Sequence, residues 1–346
     1  MMYVRKIVPI LIAAMFVGLA FLAFGTTLQQ TSKQNLTGEL RVKPKPEVKN
    51  VWLFYDDNGG QTSPSTELTP NDEMTLIIEL NFSDSGGYIH NLTVIFYFDG
   101  TDYSGNPVTV DSSDNPAFHA TYVWDNATGN WTVSPSPSTW AIDYQNSSGP
   151  ADLGVNISGL KNITLVFTPG KTARFTTLGN WTIFVEVTDQ DNPDLLYGTY
   201  NQTGYDCRFY LEMSIDATAF SFGHVPPGCE NVSFNYTGGI NITMITNDYW
   251  NITFNATGWY DGGVLVVNFS EFNSLLVDDD PVALEATETG LNPMWIKPSG
   301  VTWGSLQPPV DDINGRILRI WLFVTLPSDI PPGHYTTTLS ITTSQA

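Results

Sequence analysis

The amino-acid sequence predicts an all-β chain: two tandem antiparallel β-sandwich domains after an N-terminal hydrophobic helix. Three observations carry this. Apolar and polar residues alternate over many short stretches, the period of a half-buried strand. Clusters of Gly, Asn, Asp and Pro separate those stretches. Helical patterning is confined to one unbroken apolar run near the start, residues 7–25.

That run comes after Arg5-Lys6, and its nineteen residues at about 1.5 Å each span about 28 Å, close to the hydrocarbon thickness of a bilayer. Ala23-Phe24-Gly25 places small residues at the −3 and −1 positions of a cleavage site. Residues 1–27 therefore read as a signal peptide or a transmembrane anchor, and the two readings stay open. In both, the paired cations send the remainder of the chain outward. Residues 28–45 are polar and basic, with Lys43-Pro44-Lys45-Pro46, and read as an extended linker or arm. Within it Leu36, Gly38, Leu40 and Val42 alternate with Asn35, Thr37, Glu39 and Arg41. That is the pattern of a strand able to complete a neighbour's open sheet.

The strands come in order. In residues 74–83, Met74, Leu76, Ile78, Leu80 and Phe82 share one face. In 91–98 the apolar face is Leu92, Val94, Phe96 and Phe98, and in 180–188 it is Trp181, Ile183, Val185 and Val187. Further strands are expected over 208–215, 240–245, 250–257, 264–269, 317–326 and 335–343. Asp56-Asp57-Asn58-Gly59-Gly60, Asp84-Ser85-Gly86-Gly87 and Asp261-Gly262-Gly263 mark turns between strands. The pattern divides the exported part into an immunoglobulin-like sandwich over 46–212 and a second sandwich, jelly-roll or immunoglobulin-like, over 213–346.

Charge narrows the function. The chain has 14 Lys+Arg against 35 Asp+Glu, a formal charge of −21. Residues 1–50 are net +5, whereas the rest is net −26. Phosphate contacts need Lys and Arg, so nucleic acid is excluded as a partner. Sixteen Asn-X-Ser/Thr triplets, at Asn35, Asn81, Asn91, Asn126, Asn130, Asn146, Asn156, Asn162, Asn180, Asn201, Asn231, Asn235, Asn241, Asn251, Asn255 and Asn268, are acceptors for N-linked glycans in an exported chain. In residues 250–257 both acceptors fall opposite Trp250, Ile252 and Phe254, which places them on the wet face.

Candidate chemistry is sparse. His90, His119, His224 and His334 stand alone, without a metal-binding spacing, and no nucleophile elbow or phosphate-cradling loop is present. An enzyme is not expected, and no cofactor is required. Asp189, Asp191 and Asp194 form an oxygen-rich cluster of the kind a structural calcium ion takes; Asp278-Asp279-Asp280 and Asp56-Asp57-Asn58 are weaker ones. Cys207 and Cys229 suit a disulfide in an oxidising exterior, with two buried thiols as the alternative. Trp181 and Trp250 fall on core faces, whereas Trp131, Trp259 and Trp303 lie near Gly or Asn turns, where exposure would let them stack on sugar.

Several segments carry a family resemblance. Gly179-Asn180-Trp181-Thr182-Ile183-Phe184-Val185-Glu186-Val187-Thr188-Asp189 resembles the late strand of immunoglobulin-like repeats in prokaryotic surface proteins. Tyr122-Val123-Trp124 and residues 167–175 are similar to segments of archaeal cell-surface glycoproteins. Residues 220–228 resemble the opening of such modules and 332–342 their closing strand, and the same two ends resemble jelly-roll subunits of extracellular filaments. The resemblance implies a non-enzymatic extracellular surface glycoprotein with a structural or adhesive role in the envelope. It would be held at the membrane through residues 1–27 if uncleaved, and would self-associate into a coat or filament. The alternatives are a secreted pilus-like subunit assembled by donor-strand complementation through the arm, and a carbohydrate-binding accessory protein.

Overall fold

Residues 45–56, 61–190, 196–235, 238–279 and 291–346 are described by the computed structural model. The leader and the arm, residues 1–44, lie outside them. Thirteen strands make up the first part of the fold: β1 (Glu47–Asp56), β2 (Gln61–Pro64), β3 (Glu67–Leu68), β4 (Met74–Gly87), β5 (Ile89–Phe98), β6 (Gly100–Thr101), β7 (Pro107–Val108), β8 (His119–Asp125), β9 (Asn130–Ser134), β10 (Ala141–Ile142), β11 (Ile157–Thr168), β12 (Thr176–Asp189) and β13 (Tyr197–Cys207). A single helical turn, α1 (Pro150–Leu153), interrupts them. Eleven more make up the second: β14 (Leu211–Ile215), β15 (Val232–Ser233), β16 (Ile240–Thr246), β17 (Trp250–Asn255), β18 (Gly258–Asp261), β19 (Val264–Asn268), β20 (Leu275–Asp278), β21 (Met294–Trp295), β22 (Val301–Leu306), β23 (Arg316–Val324) and β24 (Ser340–Gln345). The all-β sandwich architecture is as the alternation predicts.

The first core lies between a five-stranded sheet, β10-β11-β4-β1-β2, and a six-stranded sheet, β3-β13-β12-β5-β8-β9. Alternation sets its contents: Met74, Leu76, Ile78 and Leu80 of β4 are fully buried, as are Leu92, Val94 and Phe96 of β5. Aromatic rings bridge the layers. Phe96 of β5 lies 4.7 Å from Phe167 of β11, and Trp140 sits 6.0 Å from Trp181 of β12.

The second core lies between β14-β16-β23-β20-β21 and a smaller sheet, β22-β17-β24, with the β18–β19 hairpin alongside. Trp250, Ile252 and Phe254 of β17 face Ile242 and Met244 of β16 in one buried cluster. The strand expected over 208–215 forms only over Leu211–Ile215. β13 ends at Cys207, the chain turns at Arg208-Phe209-Tyr210, and β14 pairs with β16, Leu211 opposite Thr246 and Ile215 opposite Ile242. Asn247 explains the break. Its fully buried amide accepts from Tyr210 N (2.8 Å) and donates to Arg208 O (2.7 Å) and Ala173 O (2.8 Å), which takes those main-chain groups out of any ladder. Thr139 N donates to Asp312 (2.8 Å) and Lys171 pairs with Glu212 (2.7 Å) along the same seam.

The strand expected over 335–343 forms only from Ser340, where β24 pairs with β17. Residues 335–339 keep the alternation but not the pairing, save an isolated bridge between Thr336 and Tyr260.

Candidate functional site

Those unpaired residues form one wall of an open groove in the second core. The opposite wall continues β14: Ile215, Ala217, Phe220, Phe222 and Val225 pack against the core without being fully covered. Tyr335, Leu339 and Ile341 face them from the other side. The floor is Ile240, Trp259, Val324, Leu326 and Ile330, all buried. The groove encloses about 910 Å³.

Its walls lack, over part of their length, the hydrogen bonds of strands. Among the described residues, the main chains of Thr218-Ala219-Phe220 and Thr337-Thr338-Leu339 make no hydrogen bond. Within the groove the Thr337 hydroxyl is buried and has no partner. Backbone polar groups normally find partners, and an unpaired strand edge is a template for another strand. Half-buried apolar side chains on two such edges are what a sandwich lacking one strand presents. His224 and His334, which the sequence places in separate Pro-Pro-Gly turns, both reach this groove as exposed rim residues. Asp261 is exposed with its carboxylate close to Gly333 of the lining, Asp329 is exposed next to Ile330, and Asp216 is exposed between Ile215 and Ala217, its carboxylate accepting from Asn241 N (2.9 Å) and Nδ2 (2.7 Å).

The other candidates scatter. Asp189 is buried at the end of β12, while Asp191 and Asp194 lie outside the described residues, as do Asp57, Asn58 and Asp280. Among the described residues no three His, Cys, Asp or Glu side chains form a group that could hold a metal ion. The expected disulfide is corrected. Cys207 and Cys229 are free and buried, Cys207 in the first core and Cys229 in the second. Cys207 Sγ donates to Ala173 O (3.2 Å), and burial pushes its thiol pKa well up, so this sulfur behaves as a packed apolar group.

The expectation for Trp131, Trp259 and Trp303 is also corrected. All three are buried, and each indole N–H is satisfied: Trp131 by Ser148 O (2.8 Å), Trp259 by Ser274 Oγ (2.8 Å), Trp303 by Asn292 O (2.7 Å). Their faces are spent on packing, not offered to sugar. Among acceptor asparagines, Asn130, Asn146, Asn156, Asn162, Asn201 and Asn235 are exposed. Asn81, Asn91, Asn126, Asn180, Asn231, Asn241, Asn251, Asn255 and Asn268 are half-buried, and Asn35 lies outside the described residues. None of the described ones lines the groove.

One pair, a buried histidine with a half-buried aspartate, has no signal in the sequence. His119 is 2% exposed; its Nδ1 lies 2.5 Å from Asp114 Oδ1 and its Nε2 3.1 Å from Val110 O. Burial raises the Asp114 pKa, but hydrogen bonds from His119, Ser134 and Thr121 outweigh it and hold the carboxyl below its ordinary value. A depressed folded-state pKa stabilises above the unfolded value, about 3.9, and that contribution is lost as pH falls through the folded value. Asp114→Asn is expected to lower stability at neutral pH and to flatten the fall in stability below about pH 4. Urea midpoints from neutral to acid pH check this; an acid limb identical to wild type would refute it.

No family model matches the chain, and no curated protein matches it. Among solved structures it is similar to the 35 kDa C-terminal fragment of the major pilin GBS80 of Streptococcus agalactiae, at 10% identity and a TM-score of 0.21, over 85% of this chain and 91% of that one. A likeness at that level carries no argument, and the functional reading rests on the groove itself.

Proposed function

We propose that the chain is a non-enzymatic structural protein of the cell exterior that builds a surface filament or coat by joining copies of itself. The single observation that supports this is the open second core, in whose two wall segments the main chains of Thr218-Ala219-Phe220 and Thr337-Thr338-Leu339 make no hydrogen bond among the described residues. The leader, the acidic body and the acceptor asparagines support an exterior location: hydrated, self-repelling surfaces stay soluble, and contact is then confined to the bare groove. Adhesion and sugar binding have less support once the turn-proximal tryptophans are buried.

The test is sedimentation velocity with electron microscopy on the secreted protein over about a hundredfold range of concentration, since a real association shifts with mass action. Polymers that lengthen with concentration are the expected result. A strictly monomeric species throughout would sink the proposal.

A further inference from the structure

We infer that the groove receives the arm, residues 35–43, of a second copy, so that association runs head to tail and does not close. This rests on the self-association reading above and adds which segment enters, where, and with what symmetry.

The arm has the pattern the groove lacks. Leu36, Leu40 and Val42 would face the open core with Gly38 between them, and Asn35, Thr37, Glu39 and Arg41 would face water. Nine residues at about 3.3 Å extend about 30 Å, comparable to the ten residues from Ala217 to Pro226 on one wall. The inserted main chain would supply partners to the bare backbone of both walls and lies within reach of the Thr337 hydroxyl. Charge agrees as well: Arg41 and Lys43 would meet a rim that carries Asp216, Asp261 and Asp329.

The occupant must come from another molecule, because of where the arm is rooted. The Lys45 ammonium sits 4.6 Å over the ring of Tyr197, the first residue of β13. Beside it the Pro46 carbonyl packs so closely on Gly198 that a side chain there would collide with it. From this root β13 runs eleven residues, about 33 Å, before the chain reaches the seam at Arg208. β14 then leads away from the seam toward the groove. The other wall agrees in direction. β24 ends at the seam, where Ala346 N donates to Tyr249 O (2.9 Å) and Tyr249 lies 6.1 Å from Tyr103 of the first core, so residues 335–339 lie on the outer side.

Only Pro44 separates Lys43 from Lys45, a reach of about 7 Å. The molecule's own arm would be consumed in crossing the gap, with nothing left to insert. Donor root and acceptor groove thus lie toward opposite ends of the body. A contact between two different surfaces that does not close on itself generates an open chain of subunits.

Two variants of the full secreted protein test this. Leu36→Asp with Leu40→Asp spoils the arm and leaves the groove intact; Ala217→Trp fills the groove and leaves the arm intact. Each alone is expected to lose at least about nine-tenths of its polymer, and an equimolar mixture to yield one-to-one heterodimers and nothing longer. A synthetic peptide of residues 35–43 is expected to bind the arm variant and to stop wild-type growth. The arm variant carries the test if Ala217→Trp fails to fold, which its near-ultraviolet circular dichroism reports. Polymers from the arm variant equal to those of wild type would overturn the inference while leaving self-association standing. A wild type that never polymerises would overturn self-association, and peptide binding to the arm variant would then decide the acceptor separately: no binding removes it.

Discussion

Replacing Asn247 with alanine is expected to lower stability by about 3–5 kcal/mol, although the side chain is small and polar, because it leaves several buried main-chain groups without partners. Asn247 is fully buried where the two cores meet. Its amide nitrogen serves Ala173 O at 2.8 Å and Arg208 O at 2.7 Å, and its amide oxygen takes the Tyr210 N–H at 2.8 Å. Each buried polar group stranded by the change costs about 1–3 kcal/mol. Its own main chain adds the Phe175 N–H to Asn247 O bond at 3.0 Å, which alanine keeps. Tyr103→Phe, which removes only a 3.3 Å hydroxyl bond to the same carbonyl, should cost no more than about 1 kcal/mol. Urea unfolding of both variants measures the difference. An Asn247→Ala loss as small as that of Tyr103→Phe would show that the seam does not depend on this amide.

Trp181→Ala is expected to be at least as damaging, about 4–5 kcal/mol. The indole is fully buried in β12, 6.0 Å from the rings of both Phe98 and Trp140, and its N–H donates to Arg174 O at 2.8 Å. Truncation opens a cavity that aromatic neighbours on two layers cannot fill, and it strands the Arg174 carbonyl. Trp52 on β1 is the internal control. It is 40% exposed on the outer face, so Trp52→Ala should move stability by about 1 kcal/mol or less. Comparable losses at the two positions would mean that the first core is not organised around its aromatic bridge.

Much of this architecture is legible in the chain itself. The face assignments of residues 74–82, 92–98 and 181–187 are those of the structure, because alternation arises from the pleat and needs no knowledge of partners. Residues 335–343 show where that legibility stops. They alternate throughout, yet only Ser340–Gln345 enters a ladder. The failure is itself informative, since a strand-like segment without a neighbour is an edge waiting for one. Proximity to Gly and Asn turns misreads Trp131, Trp259 and Trp303. A turn nearby in sequence does not say whether another segment folds over the ring, and in all three cases a carbonyl or hydroxyl distant in sequence caps the indole.

By itself, then, the sequence determined that the chain is β throughout its body, which side chains face inward, and that the chain is acidic and rich in Asn-X-Ser/Thr triplets. Tertiary structure alone decided that Cys207 and Cys229 belong to separate cores, that Asp114 meets His119, that Asn247 ties the seam, and that the second core is open along one side. The division has a plain cause. Side-chain direction repeats every two residues along one strand, whereas the partner across a sheet is chosen among segments tens of residues away, by packing that no local period records.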